Sequence, residues 1–216
     1  MSRKRTAGEM EQEFVPDTLN RISKNGDVIF EVGEEATARC RLLVSSAILI
    51  QASTTFAALL GPRFREGQQL ASANTNGPVT IPLPEDEPQA MSDLLRLLHL
   101  VNVPQLASAK DIKRIRSFAV AADKWCCVEA LHLQSQGILL NSLNTLKAPD
   151  RDVSNPLEYG RPMTELASAA LLLNQNGSFS SLIRRLLMHF TGSFLQLAPD
   201  VEANVLPLEF YCEFYF

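Results

Sequence analysis

The sequence predicts an α+β domain, and three observations carry that reading. Segments with strand character fall early, at 27–32, 37–43 and 79–83, whereas the chain after residue 85 is patterned with helical spacing; strands grouped early and helices late is the α+β order. Between the second and third strands lies the densest apolar stretch, Val44–Glu66, whose own punctuation divides it into two short helices that only burial can stabilise. The composition is that of a folded chain, 46% hydrophobic and 20% charged over 216 residues, long enough for one ordinary domain with an appendage. The expected architecture is a small three-stranded sheet flanked by short helices, followed by a C-terminal helical extension.

Taken in order, residues 1–24 are polar and include Pro16, and read as a flexible arm. Asn25-Gly26 marks a turn, after which Val28, Phe30 and Val32 share one face of a strand. Gly33-Glu34-Glu35 is a hairpin connection, and Thr37–Leu43 returns with Ala38, Cys40 and Leu42 inward and Thr37, Arg39 and Arg41 outward. Ser45 or Ser46 is placed to cap the first helix of the apolar stretch and Ser53 the second, with Gly61-Pro62 as the stop. The polar run from Gly67 to Pro78 reads as a surface loop. Val79–Leu83 is a short strand that Pro82 confines to a sheet edge, because proline has no N–H for a ladder. Glu85-Asp86-Glu87-Pro88 opens a helix with Met91, Leu94, Leu95, Leu98 and Val101 in one stripe.

Asn102–Ala107 reads as a loop, and Ser108-Ala109-Lys110-Asp111 resembles a capping box ahead of the stripe Ile112, Ile115, Phe118, Ala119 and Ala122. Trp125–Leu133 is a further short helix, with helical spacing running past Gly137 to Leu146 through Leu139 and Leu143. Lys147–Pro162, rich in proline, asparagine and charge, is the expected linker. Helices over Met163–Leu173 and Phe179–Phe190, the second capped by Ser178, complete the chain. The expected division is an arm at 1–24, a main domain at 25–133, and a helical extension at 134–216.

Several function classes are disfavoured by what the sequence carries. A formal net charge of −4 leaves no footprint for nucleic acid, so no such partner is expected. No apolar window is long enough for a membrane span. Met1–Arg5 lacks the apolar run of a secretory signal, and Cys40, Cys126, Cys127 and Cys212 form no paired framework; an intracellular chain, cytoplasmic or nuclear, with reduced thiols is expected. The basic start reads as a solvated tail. There is no G-x-S-x-G, P-loop, G-x-G-x-x-G or H-E-x-x-H pattern. His99, His132 and His189 show no zinc-like spacing, and Cys126 has no recognisable base. Lys110, Lys113, Arg114 and Arg116 form a basic face that Asp111 interrupts, which reads as solvated. No enzyme activity, cofactor or metal is expected.

Six separated pieces resemble the BTB/POZ domain in its fungal form. They are Gly26-Asp27-Val28; Ser45-Ser46 with Leu49, Ser53 and Phe56; Arg63-Phe64-Arg65-Glu66-Gly67; Ile81-Pro82-Leu83-Pro84-Glu85-Asp86; Leu97-Leu98-His99; and Ala121-Ala122-Asp123-Lys124-Trp125-Cys126. The resemblance covers residues 25 to about 133. It implies a protein–protein interaction module, a scaffold or adaptor whose partners are proteins and include a second copy of the chain. In cullin-binding members, an apolar residue followed by any residue and glutamate inserts into the scaffold of a ubiquitin ligase, matched here by Phe64-Arg65-Glu66; the resemblance therefore also implies a substrate adaptor. A regulator of chromatin or transcription acting through protein contacts is a further alternative. The candidate contact residues are Arg63, Phe64, Arg65 and Glu66, with Asp27, Thr80 and Pro82 as a dimer or strand-edge surface. Dimeric animal members carry histidine and a basic residue where this chain has Ser45 and Ser46, so the charged pocket that Asp27 would share is not formed in the usual way.

The sequence closes on Phe210-Tyr211-Cys212-Glu213-Phe214-Tyr215-Phe216. One reading is a partner-binding tail, since exposed apolar patches mark interaction sites. The preferred one is a gene model that runs into an intron or cuts a helical domain short.

Overall fold

The computed structural model describes residues 18–34, 39–72, 77–107, 111–146 and 155–198. Four strands form one sheet: β1 (Leu19–Arg21), β2 (Val28–Val32), β3 (Cys40–Val44) and β4 (Val79–Leu83), in the spatial order β1-β3-β2-β4. β2 and β3 pair antiparallel, while β1 on β3 and β4 on β2 are parallel. The fourth strand corrects the expectation of three, and it lies inside the segment read as an arm. Three residues are too few to show an alternating pattern. What holds them is the ladder to Arg41–Leu43, continued by Ile22 and Ser23, whose N–H groups both donate to the Leu43 carbonyl at 3.0 Å.

Val28, Phe30, Val32, Cys40, Leu42 and Val44 are all fully buried on one sheet face, as their alternation requires. On the other face Glu31 pairs with Arg39 and Arg41, each at 3.4 Å. Thr37 and Ala38 lie outside the described residues. Gly26 lets the loop close onto this face, because a Cβ there would fall 2.6 Å from Leu43 Cγ.

The apolar stretch forms α1 (Ser46–Ala52) and α2 (Thr54–Leu59). Ser53 caps α2 as expected, its Oγ accepting from the Phe56 N–H at 3.0 Å. Neither serine caps α1 through its own side chain; Asp27 does so instead, accepting the Ser46 N–H at 2.7 Å and the Ser46 Oγ–H at 2.5 Å. Gly61 follows α2 without a left-handed backbone. It is glycine for space, since a Cβ would lie 2.7 Å from the Ala57 carbonyl. The surface loop expected from Gly67 is corrected to a helix, α3 (Arg65–Ser72). Gly67 sits against the Gly61 carbonyl so closely that no side chain fits.

α4 (Pro88–Leu98) begins as expected, with Glu87 accepting the N–H groups of Gln89 and Ala90 at 3.0 and 2.6 Å. It ends at Leu98, before Val101, and the chain turns left-handed at Leu100 with φ +60°. The expected loop to Ala107 contains one helical turn, α5 (Pro104–Ala107). α6 (Ile112–Lys124) is capped by Asp111, which accepts the Arg114 N–H at 3.1 Å; residues 108–110 lie outside the described residues. Trp125–Leu131 is a set of turns, not the start of a helix, and α7 (His132–Thr145) follows it.

α8 (Pro156–Leu172) reaches into the expected linker. Pro156 takes the first helical position, where its missing N–H is harmless, and Pro162 is carried inside the helix. Residues 147–154 lie outside the described residues, as does the aromatic segment 210–216. α9 (Asn176–His189) starts before Ser178, which is buried within the helix and does not cap it, and a 3-10 turn follows at Phe194–Leu197. One continuous apolar core runs from Val28 to Leu197, with α6 packed against both α4 and α8.

Candidate interaction surface

Pro62, Arg63 and Phe64, between α2 and α3, and Arg65, which opens α3, are all exposed, Phe64 by 49%. Their backbone is nevertheless tied down. The Phe64 N–H donates to the Gly61 carbonyl at 3.3 Å, the Phe64 carbonyl accepts the Gln68 N–H at 3.1 Å, and Gln68 Nε2 donates to the Pro62 carbonyl at 3.2 Å. A fixed backbone thus presents an aromatic ring between two arginines, with Glu66 half-buried in the first turn of α3.

α3, which the knuckle opens, packs against β4, the strand that carries Thr80 and Pro82. Both are exposed, while Ile81 and Leu83 point into the core. β4 is an edge strand, as Pro82 requires. Asp27 belongs elsewhere. Its carboxylate is committed to Ser46, and its carbonyl accepts the Val79 N–H at 2.9 Å, so it is a joint between β2, β4 and α1. Sequence reasoning missed this role because the partner lies nineteen positions away.

A second convergence gathers residues from four distant segments. Trp125 stacks on Phe56 at 4.4 Å between centroids, and Phe56 on Phe30 at 5.7 Å. Asp86 Oδ1 accepts from Lys124 Nζ at 2.9 Å and from Trp125 Nε1 at 3.1 Å. Ser53 Oγ donates to the Trp125 carbonyl at 2.5 Å while accepting from Phe56 N–H, and Cys127 Sγ donates to the same carbonyl at 3.2 Å. The polar groups here are mutually satisfied. The cluster locks the sheet, the α1–α2 pair and the end of α6 together.

The titratable groups tell a similar story. Burial pushes the Cys40 and Cys127 thiols up to about 12, away from nucleophilic behaviour. The basic face on α6 is not simply solvated. Arg114 donates from Nε and Nη2 to Asp93 at 2.7 and 2.8 Å, and Arg116 pairs with Glu165 of α8 at 3.2 Å, so the two arginines clamp α6 to its neighbours. His132 meets the Gln175 amide at 3.2 Å and His189 abuts Tyr159 edge-on. Among the described residues no group of histidine, cysteine and carboxylate side chains could hold a metal ion, and no helix is long and apolar enough to cross a membrane.

No family model matches the chain, and no curated protein matches it.

Proposed function

We propose that the chain is a protein–protein interaction module of the BTB/POZ type, which works by presenting surfaces and performs no catalysis. The observation that carries this reading is the knuckle at Phe64: a large aromatic side chain, half exposed between Arg63 and Arg65, on a backbone held by three hydrogen bonds. Aromatic and arginine side chains on a preorganised backbone are the composition of interface hot spots. The β4 edge adds a place where an extended segment of a partner could pair. Support for the family reading comes from the meeting of Ser53 and Phe56 with Asp86, Lys124 and Trp125, which are separate pieces of the resemblance. Affinity capture compared between wild type and Phe64→Asp tests it, with circular dichroism to establish equal folding. The wild type should retain specific proteins that the variant loses; identical captured sets would refute the role of the knuckle.

The exposure of Phe64 together with the position of Glu66 favours a second reading, a substrate adaptor of a cullin-based ubiquitin ligase. Purified cullin scaffold should bind the wild type and bind Glu66→Lys at least several-fold more weakly. Absence of wild-type binding ends that reading while leaving the first intact.

A further inference from the structure

We propose that His99 is a proton-operated latch that ties the end of α4 to the junction where β3 passes into α1. The imidazole lies between two backbone groups that dictate its tautomer. The Ser45 N–H, which can only donate, points at Nε2 at 3.0 Å, and the Leu95 carbonyl, which can only accept, lies 2.7 Å from Nδ1. Nε2 is therefore bare and Nδ1 carries the hydrogen, so the ring is neutral. A second proton can go only onto Nε2, where it would face the Ser45 N–H. The bond is then lost and two donors oppose each other.

The position of this bond gives it leverage. Ser45 precedes α1, a helix with no charged residue in its first or last turn and no capping bond from the side chain of Ser45. Two side chains from outside hold consecutive N–H groups at its start: His99 on Ser45 and Asp27 on Ser46. Protonation removes the first and leaves the second.

The elements packed here are β3, α1 and α4. α1 carries no charged side chain, and the nearest on β3 is Arg41, directed to Glu31. On α4, Arg96 reaches Ser92 Oγ at 3.4 Å. The loop into β2 brings Asp27 and the exposed Lys24. The Asp27 carboxylate is held by Ser46, and burial opposes a charged ring. Desolvation lowers the His99 pKa below its usual value of 6.5, offset in part by the bond to the Leu95 carbonyl. A pKa lowered on folding keeps the latch complete above pH 6.5 and opens it as pH falls through the lowered pKa. This inference stands whatever the Phe64 surface binds.

The test uses the full chain labelled with nitrogen-15, titrated from about pH 7.5 to about pH 5. At the upper end the ring shifts should identify a protonated Nδ1 and a bare Nε2. On acidification, Ser45 amide exchange, corrected for its intrinsic pH dependence, should rise about tenfold in step with the His99 titration. Glutamine can accept from Ser45 without titrating, so His99→Gln should abolish that step. His132→Gln and His189→Gln should retain it, which keeps the proposal testable if His99→Gln fails to fold. A ring protonated at Nε2 near neutral pH, Ser45 exchange that ignores the His99 titration, or loss of the step in either control variant would overturn the latch.

Discussion

Asp93 on α4 is almost wholly buried, and its carboxylate is held by two guanidinium hydrogen bonds from Arg114 and one from Gln89 Nε2 at 3.0 Å. Replacing it with alanine leaves a partly buried guanidinium without its counter-charge, a loss of about 3 kcal/mol. Urea denaturation of Asp93→Ala checks this, and an unchanged midpoint would contradict it. Left-handed residues give the opposite sign. Leu100, Cys126 and Asn174 all have positive φ, and each follows a helix whose backbone closes in the same pattern: Val101, Cys127 and Gln175 donate to Arg96, Ala122 and Ala170 at 2.8 Å. Glycine is the residue this position prefers. Leu100 is 87% exposed and has little packing to lose, so Leu100→Gly should stabilise the chain by about 1 kcal/mol, read from thermal melting. Thiol chemistry divides the cysteines in the same way. With their pKa values near 12, Cys40 and Cys127 should stay unlabelled by iodoacetamide at mildly alkaline pH while the exposed Cys126 reacts, as mass spectrometry of the peptides would show. Ser53 was legible as a cap because its acceptor role is local, three residues long. His99 and Asp27 were not, because their partners lie 54 and nineteen residues away.

α3 shows how an element depends on close approach. Its Gly67 rests on the Gly61 carbonyl, so Gly67→Ala should force the helix outward at about 2 kcal/mol. The consequence is measurable at Phe64, whose backbone is anchored to both sides of this contact: chymotrypsin should nick the variant there faster than the wild type. A variant that resists as well as the wild type would show that the helix absorbs the methyl group. The helix itself escaped sequence reading because Arg65–Ser72 is mostly polar, with only Leu70 packed on the core, and polar composition resembles a loop. β2, β3, β4 and α4 were legible because each buries a regular face. Trp125–Leu131 misled for the converse reason. Trp125, Cys127 and Leu131 are buried, but Cys126 turns left-handed and breaks the helix that the composition suggests. Pro156 and Pro162 likewise read as linker, although one begins α8 and the other is tolerated within it.

At the scale of the whole molecule, the core does not stop at residue 133. Met163, Leu166, Ala167 and Leu182 belong to the same buried cluster as Phe30 and Phe118, and Arg116–Glu165 links α6 to α8. A fragment ending at Leu146 should therefore lose its cooperative melting transition, because removal of α8 uncovers the α6 surface it packs on. A fragment that melts as sharply as the full chain would mark the first half as self-sufficient. The sequence could not reveal this sharing. The apolar stripes show that each helix has a buried face, but not which neighbour covers it.

The chain has one tryptophan, and it sits where Phe56, Asp86 and Lys124 meet. Its indole is therefore an optical gauge set into that seam, shielded from water and bonded to a carboxylate. Light absorbed by this ring alone reports on the seam and not on the distant surface. Disturbance of the joint should shift the emission to longer wavelength, while a partner docking on a rigid knuckle at Phe64 should leave it dark to the event. The same spectrum thus separates binding from unfolding without any added label.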